Sequence, residues 1–122
     1  MFRIESSSDE KVVRRVLEGQ RDAFGILVRR YLPVVHAAAY ARLGNGVDAD
    51  DVAQETFLRA FQRLGSLHER QKFGAWLLTI ARNTAYTMLK SRQHEAEAKA
   101  RVDAHETALA PDMARRDIES EP

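Results

Sequence analysis

Apolar residues recur every three or four positions along this chain, and nowhere do they alternate as they would in a strand. Val12, Val13, Val16 and Leu17 form one face of a first helix, with Ser8 or Asp9 as N-cap and Gly19 as its stop. A second helical pattern, AFGILVRRYLPVVHAAAYARLG, starts after Asp22 as a cap and ends at Gly44 or Gly46. Pro33 lies inside it and is expected to kink or split the helix, because proline removes one backbone hydrogen bond. DADDVAQETFLRAF (48–61) predicts a third helix, with Asp48 at the N-cap, Asp51 as a capping-box acid and Gly65 at its close. Ala53, Phe57, Ala60, Phe61 and Leu64 gather on its core side. After the polar loop GSLHERQK a fourth helix, KFGAWLLTIARNTAYTMLKSRQ, is predicted to run on through HEAEAKARV. Its core stripe is Phe73, Trp76, Leu77, Ile80, Thr84 and Met88. The pattern therefore predicts an all-α fold, a compact bundle of about four helices. Residues 1–8 are expected to be a flexible N-terminus, 9–101 the helical domain, and 102–122 an acidic linker or tail without a core of its own.

Composition narrows the chemistry. The 122 residues suffice for one small domain. The chain has no cysteine, which excludes disulfides, thiolate metal sites and thiol catalysis. No apolar run approaches the length of a membrane span and no signal-peptide core opens the chain, so it is expected in the cytoplasm and not inserted in a membrane. His36, His68, His94 and His105 are far apart, and Asp48, Asp50 and Asp51 lack the spacing of a calcium loop. No Gly-rich phosphate loop is present. Neither an enzyme nor a cofactor or metal is expected.

The formal net charge of +1 conceals an uneven distribution. Residues 59–92 hold seven bases (Arg59, Arg63, Arg70, Lys72, Arg82, Lys90, Arg92) and one acid, Glu69, which makes +6. Such a local excess suits a polyanion, although a solvated face would carry it too. Away from the core stripe, the fourth helix aligns Thr79, Arg82, Asn83, Tyr86 and Lys90. Cations neutralise phosphates, an asparagine can read a base edge and a tyrosine ring can stack on an unpaired base. A Tyr86 packed on a neighbouring helix with Asn83 bonded locally would leave the same stripe, and both readings stay open. Opposite its core side, the third helix carries Asp51, Gln54, Glu55, Leu58 and Gln62 with Arg59 at the edge. Taken alone this is an ordinary solvated face with one stray leucine; as a docking patch it would suit a basic partner.

Both helices together resemble region 2 of the bacterial RNA polymerase sigma factors of the extracytoplasmic-function (ECF) group. The resemblance covers residues 9 to about 95 and rests on DADDVAQETFLRAF followed, after a short loop, by FGAWLLTIARNTAYTMLKSR. DAFGILVRRY is similar to the start of the family's second helix. The resemblance implies that Asp51, Gln54, Glu55, Leu58, Arg59 and Gln62 dock on the clamp helices of the RNA polymerase β′ subunit. It further implies recognition of the promoter −10 element as non-template single strand, with an extruded base held by the loop. Ser66, His68, Arg70, Gln71 and Lys72 would form the loop site, and Arg82, Asn83, Tyr86 and Lys90 the helix site. An anti-sigma factor is a further partner implied in the same way. Complete ECF sigma factors continue into a second helical domain that binds the −35 element. Residues 102–122 are expected to lead toward such a domain, the chain being an excised part rather than a naturally short variant. The alternative to this reading is a small helical protein-interaction or adaptor domain whose positive face only keeps it soluble.

Overall fold

The structure is a computed structural model that describes the backbone of residues 6–120 and the side chains of 6–106. Residues 1–5, part of the expected flexible N-terminus, lie outside the described residues. Four α-helices follow in order, α1 (Asp9–Leu17), α2 (Phe24–Leu43), α3 (Gly46–Arg63) and α4 (Phe73–Ser120), with no strand among the described residues. Short 3₁₀ turns occupy Arg21–Ala23, Leu64–Ser66 and Arg70–Lys72. The fold is all-α, as the periodicity predicts. Contacts divide the chain between Met88 and Leu89 into two units, and each is described by itself.

The first unit is built on caps and a small apolar core. Ser8 caps α1, its side chain accepting from the Lys11 amide at 3.3 Å, while Asp9 and Glu10 sit at the positive end of the helix dipole. Val12, Val13 and Val16 are buried, and Gly19 turns the chain at φ 107°. Asp22 does not cap α2: it lies in the Arg21–Ala23 turn, which feeds the chain straight into the helix. Pro33 neither splits nor ends α2, which runs 20 residues. The proline is exposed, so the carbonyl left without its amide partner can be hydrated. Gly44 closes α2 in the left-handed conformation (φ 77°), its amide donating to the Tyr40 carbonyl at 2.8 Å.

Asn45 caps α3, and Asp48 answers it from the third helical position. The Asp48 amide donates to Asn45 Oδ1 at 2.8 Å, and Asn45 Nδ2 donates to Asp48 Oδ2 at 2.6 Å. The expected cap at Asp48 is thus moved by three residues, and Asp48 takes the reciprocal part foreseen for Asp51. Ala49, Ala53 and Ala60 let α3 lie close against α2. The core joins Val12, Val13, Leu27, Val35, Phe57, Leu64, Leu77 and Ile80 around Phe73, which is fully buried. Tyr31, Trp76 and Phe24 surround the Phe73 ring with centroids at 5.5, 5.9 and 6.5 Å. Phe61, expected inside, is 37% exposed and meets Phe24 edge-on at 5.2 Å. Leu64, in the turn that follows, fills the core in its place.

α1 is fastened to α2 by polar contacts. Arg30 reaches Asp9 Oδ1 at 2.5 Å and the Ser7 carbonyl at 2.9 Å, and the Tyr31 hydroxyl donates to the Asp9 carboxylate. α1 also packs against the turns Leu64–Ser66 and Arg70–Lys72, so it lies along the α3–α4 loop.

The second unit is helical through Ser120, and its described side chains, 89–106, are all exposed. No helix among the described residues is long and apolar enough to cross a membrane.

Candidate nucleic-acid and partner interfaces

The α3–α4 loop and the first turns of α4 enclose a hollow of about 570 Å³. Its lining comes from Ser66, Leu67, His68, Glu69 and Lys72 of the loop and from Ala75, Trp76 and Thr79 of α4. Buried Leu67 pins the loop to the core, which leaves His68 and Glu69 outside. Ser66 donates to the Arg63 carbonyl at 2.6 Å and closes the turn, so its hydroxyl oxygen retains acceptor capacity. Lys72 pairs with Glu69 at 2.9 Å, an exposed contact of small energetic weight that an incoming anion can displace. Arg70 is half-buried and Gln71 exposed.

Along α4, Thr79, Asn83 and Tyr86 follow the hollow turn by turn. Arg82 and Asn83 are exposed, and Tyr86 is 59% exposed. Asn83 and Tyr86 thus both reach the surface of α4. Lys90 belongs to the second unit, where it is exposed. Ala75 and Trp76 were not expected at this site. Thr79, read from the sequence as part of the stripe of Asn83 and Tyr86, also lines the hollow. Trp76, expected in the core, divides its ring between Phe73 and the hollow, which periodicity alone does not reveal.

The outward face of α3 presents Asp51, Gln54 and Gln62 exposed, Glu55 half-buried and Leu58 at 51% exposure. Val47, at 72% exposure, joins Leu58 on this face, an apolar addition not foreseen from sequence. Arg59 does not point freely outward. Its Nε donates to Glu55 at 2.9 Å and its Nη1 to Thr84 Oγ1 at 3.3 Å, so it braces α3 against α4. A second hollow, lined by Val28, Leu32, Asp50, Ala53, Gln54 and Phe57, lies between α2 and this face. His36 Nε2 stands 2.9 Å from Asp50 Oδ1 at its edge.

One titration that departs clearly from its ordinary value is that of Tyr31 in α2. Burial, and then the hydrogen bond to Asp9, push the Tyr31 phenol up to about 12. Among the described residues no three His, Asp or Glu side chains group to hold a metal ion.

The first unit is a small helical domain with an acidic, partly apolar helix face and a separate loop-and-helix cleft. The family model for sigma-70 region 2 matches residues 27–95, and the chain belongs to that family, in its ECF group. It is 38% identical over 105 residues to the ECF RNA polymerase sigma factor BldN of Streptomyces coelicolor, covering 84% of this chain and 40% of that protein. It is 33% identical over 84 residues to the ECF sigma factor SigW of Bacillus subtilis, covering 69% and 45%. To the ECF sigma-E factor of Haemophilus influenzae it is 34% identical over 114 residues, covering 93% and 56%. The chain thus spans about half the length of the curated relatives it matches. Among solved structures it resembles an engineered region 2 of sigmaE, determined by NMR in complex with GTAAAA. The TM-score is 0.69 and the identity 36%, over 75% of this chain and 95% of that one.

Proposed function

We propose that the chain acts in transcription initiation as the region 2 domain of an ECF sigma factor, binding the promoter −10 element as an opened single strand while docked on RNA polymerase core. The observation that carries this reading is the juxtaposition of the loop hollow with exposed Asn83 and Tyr86 on one side of α4. A base extruded from a duplex costs a few kcal/mol of pairing and stacking. Stacking on an aromatic or apolar surface returns roughly 1–3 kcal/mol per base, and hydrogen bonds to a base edge add to it. The hollow offers the Trp76 side chain for the first and Ser66, His68 and Thr79 for the second. Arg70, Gln71, Lys72 and Arg82 are the phosphate and edge contacts of this proposal. No bond in DNA is made or broken: binding the opened strand more tightly than the duplex shifts the opening equilibrium.

The α3 face completes the proposal as the polymerase contact through Asp51, Gln54, Glu55, Leu58, Arg59 and Gln62, aimed at the clamp helices of β′. Its acids and its leucine suit a basic helical partner. An anti-sigma factor would act by covering either face. An adaptor domain indifferent to nucleic acid is not favoured by the family the chain belongs to.

The test is a titration of the chain with single-stranded GTAAAA, the ligand of the sigmaE complex, and with the matching duplex. The single strand should bind more tightly, and Asn83→Ala should weaken it about tenfold, within the range of one lost bidentate base contact. Equal affinity for any sequence in either strandedness would reduce the interaction to charge and overturn the reading.

A further inference from the structure

A hollow of about 320 Å³ lies on the other flank of the same loop, lined by Leu17, Arg21, Phe61, Gln62, Leu64 and Gly65 among others. Gly65 lines this hollow and Ser66 lines the first, so the two open on either side of a single peptide step. We propose that the strand held in the first hollow continues into this second one, where Arg14 and Arg21 bind its backbone phosphates. The inference rests on the single-strand reading given above and extends it to α1, a helix that the −10 assignment leaves unused.

Position brings α1 to the strand. Its Leu17 end meets the loop at Gly65, and its Asp9 end meets Tyr31, against which α4 begins at Gly74. The loop therefore runs the length of α1 in the opposite direction. Arg14 does not itself line the hollow; it precedes Leu17 by three residues and neighbours it on the outer surface of α1. Both Arg14 and Arg21 are exposed.

Charge selects the occupant. Arg21 is the one charged side chain lining this hollow, whereas the hollow beside the docking face has Asp50 as its one charged lining residue. A basic protein helix suits the Asp50 hollow and is repelled by the Arg21 hollow; a phosphodiester backbone has the opposite preference. Arg63 is exposed beside the loop and Glu10, Glu18 and Asp22 are exposed on the α1 side, and none of these four lines the hollow. The exposed part of Phe61 and the Leu17 side chain offer an apolar floor for a base.

The experiment compares labelled GTAAAA with the same hexamer carrying three added thymidines at its 5′ or its 3′ end. One of the two extensions should tighten binding about three- to tenfold, and the gain identifies the end that crosses the loop. Arg14→Gln with Arg21→Gln should abolish that gain while hexamer affinity stays within twofold. The salt slope for the extended strand should fall by about 1.4, two phosphates at roughly 0.7 each. Arg14→Lys with Arg21→Lys, which keeps the charges, should retain the gain and so exclude a folding defect. If the hexamer binds and neither extension helps, or if the glutamine variant keeps the gain, this inference is overturned and the −10 reading stands. If the hexamer itself fails to bind, both fall.

Discussion

At Gly74 the first turn of α4 passes so near Tyr31 that a Cβ would stand 2.8 Å from the phenolic oxygen and 3.1 Å from the ring carbon that bears it. Tyr31 cannot retreat without leaving the Asp9 carboxylate, which Arg30 also holds. Gly74→Ala should therefore lower stability by about 1–3 kcal/mol, the usual range for overpacking, read as a reduced melting temperature. Tyr31→Phe in the same chain should restore part of it by removing the clashing oxygen. The hydroxyl also leaves a mark at high pH. Its proton is held in the folded chain up to about 12 against an ordinary 10.0, so the unfolded chain loses it first. Stability from this group is complete below pH 10 and drains away as pH rises from 10 toward 12. Tyr31→Phe should flatten the fall of melting temperature across that window; an unchanged slope would show that the phenol contributes nothing there. None of this was legible in the sequence, because Asp9, Tyr31 and Gly74 lie in three different helices. Periodicity assigns a residue to a face but does not pair faces.

For whole helices the sequence was far more informative, and its errors have local causes. α3 was legible in extent and in both faces, since alanines and Phe57 recur on one side and acids and amides on the other. Its cap was misplaced because Asn45 and Asp48 are both competent N-cap residues, and the capping-box spacing fits either start. Phe61 was assigned to the core by its angle on the helix, yet the turn at Leu64–Ser66 folds Leu64 underneath and displaces it outward. Pro33 suggested a broken α2, but a proline on a solvated helix face loses one bond without losing the helix. The loop hollow was half legible: its polar residues were expected, whereas Trp76 was hidden by its core spacing. Asn45→Ala offers a test of the corrected cap. It removes the acceptor of the Asp48 amide and a donor to the buried Asp48 carboxylate, and should cost about 1–2 kcal/mol, measured as a lower urea midpoint. Asp51→Ala, outside the cap, should cost much less.

In the first unit as a whole, the acidic α3 face and the loop hollow beside α4 are distinct, with Arg59 as a brace from Glu55 to Thr84, whereas Gln62 of the first also lines the hollow proposed to continue the strand. The faces should be separable by mutation. Asp51→Lys is expected to weaken binding to polymerase core at least tenfold, with helicity and affinity for GTAAAA unchanged. Asn83→Ala should do the reverse. A loss of helicity in Asp51→Lys would mean that this acid serves the helix rather than the partner.

The placement of α1 also governs when the chain can close on itself. Asp9 leaves the ribosome 22 residues ahead of Tyr31 and 65 residues ahead of Gly74. At roughly 5–20 residues per second the second interval lasts about 3–13 s. A nine-residue helix has little life of its own in water, however well capped. α1 is thus made well before the elements that secure it, and throughout that wait its three valines stand open to whatever chaperone or stray chain the nascent polypeptide encounters.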